Sequence, residues 1–269
     1  MNAVAAAEQH QKERPRDGLW TVVVRNVTDF VRGFAITLKF TPFLKLCLAT
    51  FLVFNGFMLV SSFQFYVIIY YVFGGDTVKG AEYAGYAGTL GAISTFLVIV
   101  FVTWLGTHIG KRRAFFVAIG VSMLGYALKW VCYDPAAPWL LLVPAPLLAF
   151  GLGGLFTIMP SMIADVVDVD ELNTRERREG MYGSIFWWVV KLGMAAALAA
   201  GGFLLNATGF DVDLGGEQTE HAIFMMRLFD AFVPFVASAI AIWAIASFPI
   251  TEERAREVRV KLEALRGAA

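Results

Sequence analysis

Residues 181–205 read MYGSIFWWVVKLGMAAALAAGGFLL, a stretch of 25 residues in which Lys191 is the single charged side chain. A helix needs about 20 mostly apolar residues to cross the hydrocarbon core of a bilayer, because it rises 1.5 Å per residue. The stretch therefore predicts a membrane-spanning helix that carries a lysine near its middle.

Five further apolar runs of similar length accompany this one. Together they predict spans at Leu44–Phe73, Tyr83–Leu105, Ala114–Tyr133, Trp139–Ala164, Met181–Leu205 and Ala222–Phe248. The composition agrees, because 58% of the 269 residues are hydrophobic and 16% are charged, whereas about 25% are charged in soluble domains. We expect an all-α, polytopic six-helix bundle over residues 44–248 and not a soluble enzyme.

The basic residues indicate how the bundle is oriented. If the six spans are correct, 18 of the 22 Lys and Arg residues lie on the side that holds both termini. Such residues collect in cytoplasmic loops, so we expect a multi-pass protein of the cell (inner) membrane with both termini in the cytoplasm. The formal net charge is zero, which gives no reason to expect a nucleic-acid partner.

Two segments flank the bundle. Residues 1–43 form a cytoplasmic segment, in which the alternation of apolar and basic groups over 19–40 predicts an amphipathic helix in the membrane interface. Residues 249–269 predict a charged cytoplasmic tail helix capped by Thr251. The alternative for this tail is a solvated segment that serves only to set the orientation.

Lys191 is the most informative polar group inside a span. A charge near the bilayer centre costs about 2.5–3.5 kcal/mol or more, so its presence needs a reason. Trp187 and Trp188 share its helix face, where an indole either stacks on a sugar ring or packs in the core. The small residues Gly193 and Gly201 lie on another face and predict close packing against a second helix. Lys191 therefore faces a cavity, or it pairs with a carboxylate inside the bundle.

Other polar residues in the spans have several interpretations. Asn55 and Gln64 either contact a hydroxylated substrate or form hydrogen bonds between helices. Lys129 is four residues from the end of its span, so we expect its ammonium group to reach the interface. Arg227 and Asp230 are spaced to pair with each other on one helix.

Glycine and proline set further expectations. The fourth span contains Gly151, Gly153, Gly154, Pro144, Pro146 and Pro160, which predict a flexible or interrupted helix. Ala84, Gly88 and Ala92 predict close packing of the second span. No catalytic constellation, cofactor motif or metal-ligand spacing occurs, so the sequence favours transport over catalysis.

Residues 164–180 read ADVVDVDELNTRERREG and alternate acidic with basic groups. Asp165, Asp168 and Glu171 recur at intervals of three, and Arg175 and Arg178 follow. This spacing predicts a short cytoplasmic helix whose salt bridges form and break in an intracellular gate. The alternative is a solvated loop that only sets the topology.

This stretch resembles the loop between helices ten and eleven of the glycoside–pentoside–hexuronide:cation symporters, a branch of the major facilitator superfamily. The family pattern is roughly Ala-Asp-x-Val-Asp-Tyr-x-Glu followed by Thr-Gly-x-Arg-x-Glu-Gly. Here Val169 replaces the tyrosine and Arg175 replaces the glycine. In the same register Lys191 occupies the position of a family lysine, and residues 106–113 resemble the basic loop between helices eight and nine.

The resemblance implies that the six spans are helices seven to twelve, one half of a transporter whose chain begins in the central cytoplasmic loop. It further implies cation-coupled uptake of a sugar or glycoside together with an amino-terminal six-helix partner. The coupling cation, Na⁺ or H⁺, would be bound mainly by that partner. Lys191 would sense cation and substrate occupancy, and Phe156 would contact the sugar. The alternatives are a non-transporting accessory membrane protein and a homodimeric transporter made of two copies.

Overall fold

The computed structural model describes Thr28 and residues 31–267. The interfacial helix predicted over 19–40 therefore lies largely outside the described residues, although residues 31–37 are helical. Residues up to Phe40 form a unit of their own, and the unit that begins at Thr41 holds everything described below.

Six long helices build this second unit. They are α1, Thr41–Tyr66, which continues as a π-helix over Val67–Val72; α2, Thr77–Ile109; α3, Lys111–Cys132; α4, Pro144–Thr174, preceded by a 3-10 turn at Pro138–Leu142; α5, Glu179–Ala207; and α6, Glu220–Ala246. Each is long and apolar enough to cross a membrane. The prediction of an all-α six-span bundle is confirmed.

The six helices form two consecutive sets of three, α1–α3 and α4–α6, and the first helix of each set packs against helices of the other set. Helix α1 of the first set packs mainly on α5 and α6 of the second, and α4 of the second set packs on α2 and α3 of the first. Helices α1 and α4 also touch each other. They therefore form the centre of the bundle, and functional side chains on them lie close to α5.

Helix α4 is continuous from Pro144 to Thr174, so the fourth span is not interrupted within this range, and its flexibility stays a prediction. Pro160 is accommodated inside the helix. The glycines serve packing instead: a Cβ at Gly154 would lie 2.5 Å from Cβ of Ala118, and one at Gly151 would lie 3.1 Å from Cβ of Ser122. The two helices can approach this closely because the glycines of α4 have no side chain.

The carboxyl-terminal end of α4 extends ten residues beyond the predicted end of its span. The charged stretch after Ala164 is the continuation of α4 and not a separate short helix. No glycine or proline interrupts it. The helix ends where Arg175 adopts the left-handed conformation, with φ at 61°, and its amide donates a hydrogen bond to the Glu171 carbonyl oxygen.

The tail forms helix α7, Glu252–Gly267, which packs on α4. Ala255, Val258 and Leu262 are buried, so the alternative of a solvated tail is wrong. Thr251 caps the helix as predicted, because its hydroxyl oxygen accepts a hydrogen bond from the Arg254 amide at 3.2 Å. The Glu252 carboxylate accepts a hydrogen bond from the Lys111 amide at 2.6 Å and so binds the amino terminus of α3, where the helix dipole favours negative charge.

Candidate functional site

Lys191 lies near the middle of α5 on an exposed face. Its side chain forms no hydrogen bond or ion pair with any residue that the structure describes. Trp187 and Trp188, one turn earlier, are 54% and 71% exposed. The predicted packing stripe, which includes Gly193 and Gly201, is buried on a different face. The ammonium group is therefore free to meet a group from outside the bundle.

Three aromatic rings connect α1, α4 and α5 beside this lysine. Phe156 of α4 stacks on Trp187 with the ring centroids 6.0 Å apart and an interplanar angle of 15°. Phe54 of α1 meets Phe156 edge to face at 5.8 Å. Stacked and edge-to-face rings hold each other in place. The structure thus brings the predicted pair Phe156 and Trp187 together and orients a half-exposed indole next to an ammonium group.

Asn55 of α1 lies at the contact with α5. Its amide nitrogen donates a hydrogen bond to the Phe51 carbonyl oxygen at 2.6 Å, and a Cβ at Gly193 would lie 2.9 Å from that nitrogen. Asn55 is half-buried there. Gly193 belongs to the buried packing stripe, so Asn55 contacts a different face of α5 from the one that carries the Lys191 side chain.

Gln64 lies elsewhere, in a groove of about 410 Å³ between α1, α2 and α4. The groove is also lined by Ser61, Thr95 and Gly88. No atom of the described residues lies within 4 Å of a Cβ built at Gly88, so the expected close packing is wrong for this residue, whereas Ala84 packs on the hydrophobic core. The structure separates Gln64 from Asn55, which the sequence had grouped as one polar set.

Lys129 does not reach the interface, so that expectation is wrong. Its Nζ lies 2.5 Å from Oδ1 of Asp230 on α6, and both side chains are almost completely buried. An ammonium group that finds a carboxylate inside the bundle does not have to extend to water.

The expected pairing of Arg227 with Asp230 is also wrong. The Arg227 guanidinium carbon lies 4.0 Å from the ring centroid of Tyr71 and 4.6 Å from that of Trp130. One of its nitrogens donates a hydrogen bond to the Trp130 carbonyl oxygen at 2.8 Å. The delocalised charge of the Arg227 guanidinium interacts favourably with these aromatic faces. Asp230 forms its ion pair with Lys129 instead.

Asp165, in the carboxyl-terminal part of α4, binds side chains of two other helices. Lys111 Nζ lies 2.6 Å from Oδ2 of Asp165 and also donates a hydrogen bond to the Ser161 carbonyl oxygen. Arg259 of α7 lies 3.3 Å from Oδ1. The first acid of the predicted gate thus ties α4 to α3 and to the tail helix.

Glu171 and Asp168 share Arg177. Arg177 lies 2.8 Å from a Glu171 oxygen and 3.5 Å from an Asp168 oxygen. Glu171 also binds Arg266 of α7 at 2.7 Å. Hydrogen bonds from Arg177 to Glu171 and to Glu179 raise the pKa of the guanidinium above its usual value. Both acids therefore already have basic partners within this bundle.

Arg178 and Arg175 differ in their surroundings. Arg178 is mostly buried, and its Nε lies 3.6 Å from an oxygen of Asp170. Its Nε and Nη1 form no hydrogen bond within the described residues. Arg175 is exposed and forms no ion pair with them; it ends α4, in the position where the family pattern has glycine.

Several charged partners were not singled out as site residues from the sequence. They are Lys111, Asp170, Arg177, Arg259 and Arg266. One signal for the tail pair was available: Arg259 and Arg266 are seven residues apart, which places them on one face of a helix. Which helix that face meets depends on packing.

The chain is similar in sequence to several curated transporters. It is 32% identical over 176 residues to an uncharacterized symporter of Synechocystis, covering 63% of this chain and 32% of the relative. It is 29% identical over 160 residues to the glucuronide carrier protein homolog of Escherichia coli, covering 58% and 34%. It is 25% identical over 260 residues to a sphingosine-1-phosphate transporter of Xenopus tropicalis, covering 94% and 48%.

The chain thus spans between a third and a half of the length of these curated relatives. The family model described as MFS/sugar transport protein matches residues 6–252, most of the chain. The six apolar helices, packed as two sets of three whose first helices each contact the other set, agree with that match. This chain is a multi-pass membrane protein that belongs to the MFS/sugar transport protein family.

Proposed function

We propose that the chain is the carboxyl-terminal six-helix half of a cation-coupled symporter for a sugar or glycoside. Six further helices complete the transporter, either in the same polypeptide or in a partner chain. The observation that carries the proposal is the exposed, unpaired Lys191 one turn from the stacked pair Trp187 and Phe156. A relative of this chain is named a glucuronide carrier homolog.

The exposed site forms one wall of a substrate cavity. A sugar ring stacks on the free area of an indole through its C–H bonds, and an ammonium group binds hydroxyl oxygens or a carboxylate. Lys191, Trp187 and Phe156 supply these two kinds of contact from adjacent helices.

Lys191 also couples the cation to the sugar. An isolated ammonium group inside a span is costly, so it binds a carboxylate of the complementary half when the cation site is empty. Na⁺ or H⁺ at that carboxylate displaces the lysine, which then binds substrate. Such an exchange of partners makes sugar binding depend on the cation.

The cytoplasmic ion pairs act as the gate. Asp165, Asp168 and Glu171 on α4, with Arg177 and Arg178 beyond its end, lie on the side that we assign to the cytoplasm of the cell membrane. Rocking of one half against the other moves such pairs as a block, because α7 and α3 bind the same helix. Arg178 keeps unused donors for this purpose.

The test is transport by proteoliposomes that hold the chain alone or with the six amino-terminal helices that complete it. A Na⁺ or H⁺ gradient should drive uphill accumulation of methyl β-D-glucuronide, or of an unmodified pentoside, only when both halves are present. Accumulation by the chain alone would indicate a homodimeric transporter. No transport by correctly inserted halves would indicate an accessory protein and contradict the proposal.

A second candidate is transport of an amphiphilic lipid. The observation that favours it is the match over 94% of this chain to the sphingosine-1-phosphate transporter. Lys191 would then bind an anionic head group. Flux of a lysophospholipid, with no flux of any glycoside, is the result that distinguishes this function.

A further inference from the structure

The groove between α1, α2 and α4 continues the candidate sugar site towards the other end of the bundle. Leu152 of the groove precedes Phe156 by one turn of α4, and Phe57 follows Phe54 by one turn of α1. The two rings nearest the sugar site thus lie next to the groove entrance. Anything bound at Trp187 and Phe156 can extend into the groove.

The groove is poor in polar groups. Of its fifteen lining residues, only Ser61, Gln64 and Thr95 have polar side chains. The two hydroxyl groups already donate hydrogen bonds to their own helix, Ser61 to the Phe57 carbonyl oxygen and Thr95 to the Gly91 carbonyl oxygen. Gln64 forms no hydrogen bond with the residues that the structure describes.

These surroundings disfavour a sugar ring in the groove and favour an apolar group. A buried sugar would leave several hydroxyl groups without partners, which costs free energy for each one. An aryl or alkyl group needs no partners, and Gln64 can bind one polar atom such as a glycosidic or ring oxygen. The volume of about 410 Å³ is within the range of sites for small molecules.

We propose that the groove lined by Phe57, Gln64, Gly88 and Leu152 is a subsite for the apolar aglycone of a glycoside whose sugar lies at Trp187, Phe156 and Lys191. The inference rests on the proposed function and narrows its substrate class to aryl and alkyl glycosides. Continuity with the sugar site favours an apolar group that is attached to a polar group at Lys191 and Trp187, and the proposed function selects an aglycone over the acyl chain of a lysophospholipid.

Two glycines of α2 provide a matched pair of variants. Neither Gly88 nor Gly85 has an atom within 4 Å of a built Cβ, so either position can hold a side chain without a clash. Gly88 lines the groove and Gly85 does not. Gly88→Leu therefore fills the groove, whereas Gly85→Leu adds the same apolar bulk to the same helix outside it.

The experiment measures binding by equilibrium dialysis against the chain in nanodiscs, with empty nanodiscs subtracted. Nanodiscs are needed because alkyl-glycoside detergents are themselves apolar glycosides. The probes are methyl β-D-glucuronide, 4-methylumbelliferyl β-D-glucuronide and 4-methylumbelliferone. We expect the umbelliferyl glycoside to bind about tenfold or more tightly than the methyl glycoside, as apolar pockets commonly discriminate, and Gly88→Leu to remove this preference while Gly85→Leu keeps it. Gln64→Ala should weaken binding of the umbelliferyl glycoside more than binding of the methyl glycoside.

Equal affinity of the two glycosides for the unchanged chain would overturn the subsite. So would equal losses in the two leucine variants, or a groove that only a lysophospholipid occupies. If neither glycoside binds but free 4-methylumbelliferone does, and Gly88→Leu alone abolishes that binding, the apolar subsite stands and the proposed sugar function fails. If Gly88→Leu leaves all binding unchanged but prevents association with the complementary half, the groove receives a helix and the inference is wrong.

Discussion

The ammonium nitrogen of Lys129 lies 2.5 Å from Oδ1 of Asp230, and neither side chain is more than 2% exposed. This ion pair joins α3 to α6 and contributes nothing to the exposed face around Lys191. The two lysines near the middle and the end of their spans therefore differ in kind: Lys129 has its counterion within the bundle, whereas Lys191 has no ion pair with the residues that the structure describes.

Removing one member of the buried pair should destabilise the bundle strongly. Lys129→Met leaves the Asp230 carboxylate without a counterion, and breaking such pairs costs about 3–5 kcal/mol. The double variant Lys129→Met, Asp230→Leu should recover most of the loss. Thermal unfolding followed by tryptophan fluorescence checks both. If the double variant is no more stable than the single one, the two charges do not interact as described.

Lys191→Ala should abolish coupled transport and leave the stability of the bundle unchanged. Because the exposed ammonium group has no partner in this bundle, its loss should leave thermal stability within about 0.5 kcal/mol, as for most surface changes. Cation-driven accumulation of sugar by the complete transporter should nevertheless fall to the passive level. Lys191→Arg should rescue little, since the planar guanidinium binds with a different geometry. Full accumulation in the alanine variant would remove Lys191 from the mechanism.

Charge reversal at Arg178 should impair transport. Arg178 Nε lies 3.6 Å from Asp170 and 3.5 Å from Glu176. Arg178→Glu replaces this guanidinium with a third acid, and like charges in a mostly buried position repel. Combining it with Asp170→Arg should restore part of the uptake rate, while Arg175→Glu, at an exposed position without an ion pair, serves as the control with little effect. Normal transport by every single variant would mean that this stretch only sets the topology.

Arg175→Gly should stabilise the protein. A side chain in the left-handed conformation costs about 1–2 kcal/mol, which glycine avoids. We expect a gain of about 1 kcal/mol, measured as a rise of the unfolding midpoint. Arg175→Ala retains a Cβ and should show no such gain. Equal unfolding midpoints for the glycine variant and the unchanged chain would argue against a left-handed conformation of Arg175 at the end of α4.

The proposed orientation predicts which loops a membrane-impermeant maleimide reaches from outside the cell. Gly215→Cys, between α5 and α6, should be labelled in intact cells. Thr174→Cys, at the end of α4, should be labelled only after the membrane is permeabilised. Both native cysteines are buried, so they should add little background. The reverse pattern would place the termini outside.

The spans and their number followed from the sequence because each depends on a local property, a continuous apolar run long enough to cross a bilayer. The cap of the tail helix at Thr251 and the packing stripe of α5 depend on spacing within one helix, and both agree with the structure. The end of α4 was misplaced by ten residues, since charge alone does not end a helix and Arg175 substitutes for the expected glycine.

Every ion pair between helices was decided by the tertiary structure. Asp230 was expected to bind Arg227 on its own helix, but the packing of α3 against α6 brings Lys129 closer. In the same way α7 brings Arg259 to Asp165, and the separation of α1 from α2 leaves Gly88 facing an open groove. A sequence specifies which side chains share a helix face, whereas the identity of the partner depends on how that face is rotated against its neighbours. That rotation is set by the packing of the whole bundle at once, and no single segment determines it.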